Sequence, residues 1–128
     1  MVNRDDIVIF CYTRADAIRD GVLIDVTETA REAGFRIPVA MTSAAWALCV
    51  EIPEGVTGQD LSGRIWDVLI MLLYAIKSKN ARGSEIRYHL HVRNSNEEGE
   101  PPLVELKALC GPGDEGEPVI TIMLPHED

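Results

Sequence analysis

His89 and His91 are the first residues to weigh as chemistry. They stand two apart in a stretch that alternates apolar and polar, so as strand residues they project from one face. Two imidazoles in that relation supply half of a zinc site, with Glu105 or Cys110 of the following apolar stretch as the missing ligands. Strand parity, however, turns Cys110 to the core side, and Arg87 and Arg93 share the histidines' face and repel a cation. The plainer reading is a polar sheet face with cross-strand pairs to Glu105. Asp114, Glu115 and Glu117 crowd a Gly-rich turn (GPGDEGEP), with Glu127 and Asp128 soon after Pro125. Clustered carboxylates suit a hard divalent cation, but the D-E-G-E spacing departs from an EF-hand loop, and a solvated turn explains it equally. His126, beside the tail acids, reads as surface.

Three cysteines, Cys11, Cys49 and Cys110, form no CxxC pair, and their odd number and wide spacing fit reduced thiols. A reactive thiolate needs electropositive, partly exposed surroundings. Cys49 (in AALCVE) and Cys11 (after IVIF) read as small core residues. Cys110, beside Gly111, is the most accessible but lacks a neighbouring base. Tyr12-Thr13-Arg14 with Asp16 and Asp20 marks a helix start that can hold an anion. The same residues make a capping motif with an Arg14 or Arg19 ion pair to a nearby aspartate. There is no phosphate-binding Gly-loop, nucleophile elbow, HExxH or dinucleotide fingerprint. The reading is therefore a protein with no cofactor, no metal and no enzymatic centre.

The element that must position everything else is Leu61 to Lys79, with an unbroken apolar run from Val68 to Ile76. Nine apolar residues fall short of the ~20 a bilayer requires. On a helical wheel Asp60, Arg64, Asp67 and Met71 share one stripe. Ile65, Leu69, Leu72, Leu73 and Ile76 lie opposite, flanked by Trp66, Ile70 and Tyr74. The polar stripe fades after Asp67, so the chain must cover this helix on several sides. Thr57 with Asp60 resembles a capping box that starts it, and Gly63 reads as room for Trp46 or another element to approach.

Before it come an apolar run at residues 7–11, a helix Arg14–Asp20 capped by Thr13, and an extended Val22–Val26. A helix Glu28–Ala33, capped by Thr27 and ended by Gly34, follows. Phe35–Ala40 is extended but contains Pro38, which argues against a well-paired central strand. A helix Ala44–Glu51, started by Thr42 or Ser43 and apolar on every side, completes this part. After residues 80–83 the period changes from 3.6 to 2. Ile86, Tyr88, Leu90 and Val92 point inward, and Arg87, His89, His91 and Arg93 outward. Val104, Leu106, Ala108 and Cys110 point inward, with Glu105 and Lys107 outward. Val119–Leu124 is apolar on both faces. These segments predict one α+β domain over residues 1–128. Short N-terminal helices and extended segments surround one long central helix, which packs on a C-terminal antiparallel sheet of at least three strands.

The chain has 128 residues and a net charge of −9. Its acidity disfavours general nucleic-acid binding and anionic membranes and suits basic partners, cations or solubility alone. Residues 94–128 hold nine acids against one lysine, a net of −8, whereas residues 1–93 are nearly balanced. Lys77, Lys79, Arg82, Arg87 and Arg93 oppose only Glu85, so a local excess of +4 precedes the acidic third. The N-terminal residues do not read as a signal peptide, and a cytoplasmic location is expected.

Several motifs are distinctive: Tyr12-Thr13-Arg14, Asp20-Gly21-Val22-Leu23, Asp25-Val26-Thr27, Gly63-Arg64-Ile65-Trp66-Asp67, and the tail from Gly111-Pro112-Gly113-Asp114 through Glu117-Pro118-Val119-Ile120-Thr121 to Glu127-Asp128. In these, and over almost its whole length, the chain resembles an uncharacterised family of small proteins carried by bacterial phages, plasmids and integrative elements. The resemblance implies a mobile-element accessory protein of the bacterial cytoplasm, and it carries over no catalytic or binding residues. The leading expectation is a non-enzymatic inhibitor of host nucleic-acid-handling or defence machinery, in the manner of anti-CRISPR proteins. It would occupy a basic groove on a host protein with Glu97, Glu98, Glu100, Asp114, Glu115 and Glu117. A second expectation is an oligomeric structural or regulatory module, such as a homodimer, docking through one face of Val119–Leu124. A third is a small metal protein or enzyme using His89 and His91.

Overall fold

The computed structural model describes residues 11–78 and 83–128. The run at residues 7–11 lies outside them except for Cys11, and Lys79 and Arg82 lie outside them altogether. The elements in chain order are α1 (Arg14–Arg19), β1 (Leu23–Asp25), α2 (Thr27–Ala33), β2 (Val39–Thr42), α3 (Ser43–Cys49), α4 (Leu61–Ser78), β3 (Glu85–His91), β4 (Leu103–Pro112) and β5 (Pro118–Met123). The five strands form one mixed sheet in the order β1-β2-β5-β4-β3. β3, β4 and β5 are the expected antiparallel meander. β5 then pairs in parallel with β2, and β1 closes that side antiparallel.

β2 is an interior strand, contrary to the expectation drawn from Pro38. The proline sits just ahead of the first ladder residue, where its missing N–H is not needed. Its carbonyl still accepts from Ile120 N at 2.9 Å.

Alternation sorts the sheet into two faces. Met41, Ile122, Leu106, Tyr88 and Leu90 meet Val68, Leu69 and Leu72 of α4 in the main core, and α2 and α3 pack beside α4. The Tyr88 hydroxyl donates to Val68 O at 3.1 Å and burial raises its pKa well above the ordinary value. On the opposite face Arg14 of α1 reaches β5, and Glu127 of the C-terminal tail bonds Thr42 of β2 and Lys107 of β4. Val119 and Met123 are each only 4% exposed there. Two residues of the strand expected to offer an apolar face are therefore buried within the chain, while Leu109 and Thr121 beside them border a cavity of ≈ 460 Å³.

Lys107, expected outward on open solvent, is buried under the tail, donating to the carbonyl of Glu127. Cys110 lies on the helix side as parity requires, yet it is exposed, because β4 runs past the end of α4. Cys11 is exposed rather than a core residue.

Local choices account for most helix ends. Thr13 caps α1 in a capping box with Asp16, and α2 stops at Gly34 in the left-handed region (φ 116°). Thr27, expected as a cap, is the first residue of α2 instead. Its hydroxyl accepts from Val39 N at 3.1 Å and so ties helix to strand. α3 is capped by Thr42, and it buries one side rather than all, since Leu48 is exposed. The first turn of α4 is capped by Asp60, not Thr57: Asp60 Oδ2 accepts from Gly63 N at 3.2 Å. A Cβ on Gly63 would stand 2.7 Å from Asp60 Oδ1, so the glycine makes room for the cap rather than for Trp46.

Candidate binding surface

A buried arginine organises the end of the molecule where one group of its acids gathers. Arg64 is only 5% exposed, not on an open polar stripe. Its guanidinium donates to the carbonyls of Cys49 (3.2 Å), Glu51 (3.3 Å) and Arg93 (2.7 Å), to Asn94 Oδ1 (2.6 Å) and to Gln59 Oε1 (3.4 Å). Burial lowers its pKa from the ordinary value. A planar fork with five N–H groups is the side chain that can meet so many oxygens at once. It joins the end of α3, the start of α4 and the end of β3.

Two loops meet over this hub. Asn94 Nδ2 donates to Leu48 O at 2.8 Å, while Asn96 donates to Gly55 O at 2.8 Å and accepts from Thr57 N at 3.0 Å. Arg93 turns into its own loop and donates to Glu97 O at 2.6 Å and Gly99 O at 2.7 Å. The loop at 94–100 is therefore fastened to the loop at 51–60. Together they present Glu51, Glu54, Asp60, Glu97, Glu98 and Glu100, all exposed, and neither segment contains a lysine or arginine. Glu100 Oε1 also stands 3.7 Å from His91 Nε2.

The other three acids of the expected cluster lie elsewhere. Asp114, Glu115 and Glu117 sit in the β4–β5 turn, and the ten residues of β4 separate them from the loop pair by ~30 Å. Two of them are engaged within the fold. Asp114 accepts from Arg14 N at 2.7 Å and Ala15 N at 3.0 Å, filling the anion position at the start of α1. Glu117 Oε1 accepts from Glu115 N at 3.0 Å within the turn. The anion site suspected at Tyr12-Thr13-Arg14 thus holds the chain's own carboxylate. Arg14 reaches β5, donating to Thr121 Oγ1 at 2.6 Å and Ile120 O at 2.8 Å, and Arg19 pairs with Asp16 at 3.0 Å. Backbone and hydroxyl bonds from Thr13 hold the Asp16 pKa below its ordinary 3.8.

The outer face of β3 is not an open basic patch. Arg87 lies 3.1 Å from Glu85 and 3.9 Å from Glu105, and His89 lies 3.6 Å from Glu105 across the β3–β4 ladder. Among the described residues no three of His, Cys, Asp and Glu converge as metal ligands. Cys49 is buried, which raises its thiol to about 11. Cys110 borders an apolar cavity of ≈ 210 Å³ with Leu72, Ile76 and Ile86, and among the described residues that line it none is basic.

Sequence reasoning missed Glu51, Glu54 and Asp60 because they belong to the electrically balanced front of the chain. The available signal was a pair of polar, base-free loops, one of them opening with Asn94 and Asn96, whose amides bond backbone of other segments. The α4 flank of Trp66, Ile70 and Tyr74, expected to be covered, is partly open: Trp66 is 41% and Tyr74 68% exposed.

A single mixed sheet with α2, α3 and α4 on one side, α1 on the other and an acidic loop pair at one end defines an α+β domain. The match to the family of unknown function DUF6573 spans residues 3–128, and the chain belongs to that family. No curated protein and no solved structure matches it. Among the described residues no helix is long and apolar enough to cross a membrane.

Proposed function

We propose that this is a non-enzymatic binding protein that presents its acidic loop pair to a basic groove of a host protein handling nucleic acid. The observation that carries the reading is the fastening of two base-free loops by Asn94, Asn96, Arg64 and Arg93. Carboxylates on pre-ordered loops lose little freedom on binding. Their combined field speeds encounter with a positive partner. The contact set is Glu51, Glu54, Asp60, Glu97, Glu98 and Glu100. Glu97, Glu98 and Glu100 are among the acids expected from the sequence, while Asp114 and Glu117 are engaged in the far turn and Glu115 lies exposed beside them. The bacterial mobile-element context, the cytoplasmic setting and the inhibitory role against host defence complexes rest on the likeness of the end motifs.

The test is competition. Purified nucleic-acid-guided effector complexes of the host class are mixed with the protein, and displacement of their nucleic acid is followed at low and high salt. Displacement is expected at low salt and should weaken as salt rises. The triple reversal Glu54→Lys, Glu97→Lys, Glu98→Lys should weaken it by about tenfold or more. Failure to displace at low salt, or equal displacement by the triple variant, overturns the reading.

A further inference from the structure

We infer that the protein forms a reversible two-fold dimer in which α4 packs antiparallel against α4 of a second copy. This inference stands apart from the acidic loops. The outer side of α4 carries Trp66, Ile70, Leu73 and Lys77, spaced four, three and four residues apart, with Tyr74 alongside. That is the seam spacing of paired helices. A shallow apolar groove of ≈ 370 Å³ runs along Ile70, Leu73 and Tyr74 and ends at Lys77 and Ser78. α2 covers only one flank, where Gly34 approaches Leu73, while Trp66 and Tyr74 remain 41% and 68% exposed.

Charge selects the occupant. Asp67 and Lys77, both exposed, stand at opposite ends of the apolar stripe. Ten residues of helix put them ~15 Å apart. A basic partner would meet Lys77 as a repulsive group, and an acidic one would meet Asp67. A surface with the same two charges in reverse order satisfies both, and an antiparallel copy of this helix is such a surface. In that arrangement Ile70 faces Leu73 and Tyr74 of the other copy. Lys77 reaches the indole face of Trp66, where a cation is favoured, as well as the carboxylate of Asp67. A seam confined to an 18-residue helix falls short of the roughly 800 Å² per partner of a standard stable interface, so the association is weak and concentration-dependent.

Sedimentation across a wide concentration range tests this. The mass should rise from 14.1 kDa towards twice that value as concentration increases. Lys77→Asp and Asp67→Lys, each placing like charges together twice across the axis, should raise the dissociation constant by about tenfold. The double exchange Asp67→Lys with Lys77→Asp should return it to within about threefold of the parent. The loop variant Glu54→Lys, Glu97→Lys, Glu98→Lys should dimerise like the parent, which separates this outcome from failure of the binding reading. A monomer at every concentration, a dimer indifferent to both single reversals, or a double exchange that restores nothing overturns the inference.

Discussion

Arg64 holds together more of this molecule than any other side chain described. Its five acceptors come from the end of α3, from the loop between α3 and α4, and from the residues that follow β3. Arg64→Met keeps the length and removes every donor, leaving buried carbonyls unpaired, and should cost about 3 kcal/mol or more. Urea unfolding reads this as a lower midpoint at unchanged slope, and a loss under about 1 kcal/mol would contradict it. A helical wheel placed Arg64 on the solvent stripe with Asp60 and Asp67. The wheel records direction around an axis but not which carbonyls from distant segments end beside it, and a long side chain follows the carbonyls. Cys49 makes a second residue-level test. With its thiol raised to about 11 by burial it stays protonated at neutral pH, so alkylation should label Cys11 and Cys110 and spare Cys49 until denaturant is added. Mass mapping of the labelled peptides checks the order.

Among the elements, α1 shows how local and distant instructions combine. Thr13 and Asp16 close a capping box that can be read from four adjacent residues. Asp114, a hundred positions away, finishes the same helix end, and nothing local announces it. Asp114→Ala should therefore speed hydrogen exchange at Arg14 and Ala15 and cost about 1 kcal/mol, whereas Glu115→Ala in the same turn should change neither. Asp16 adds a pH dependence with a definite sign. Its folded pKa lies below the ordinary 3.8, so its contribution is present above that value and is lost as pH falls through the lower folded one. Protection factors at the start of α1, taken against the intrinsic exchange rate at each pH, should fall in that acid window. The strands divide along the same line. β3, β4 and β5 were legible from alternation and intervening turns, since each pairs with its neighbour in sequence. β1 and β2 showed only as extended pieces, because the partner that makes β2 an interior strand is β5, some eighty residues further on.

Over the whole molecule, charge counted along the chain and charge arranged in space give different pictures. The acidic final third is real in sequence, yet its carboxylates separate to the two ends of β4, and one group is absorbed in capping and turn contacts. The other gains Glu51, Glu54 and Asp60 from the front of the chain. Only tertiary contacts through Asn94 and Asn96 could reveal that. Competition against host effectors and the mass of the α4 pair are the measurements at this scale, and their failures are independent. The parallel contact between β2 and β5 bears on how the protein is made. During translation β2 leaves the ribosome with β1 on one edge and a row of unmet amides on the other, and it keeps that edge until Pro118–Met123 emerges. The middle of the sheet is the last place to be filled, so a nascent chain halted before β5 cannot close its core, however much of the helical layer it has already synthesised.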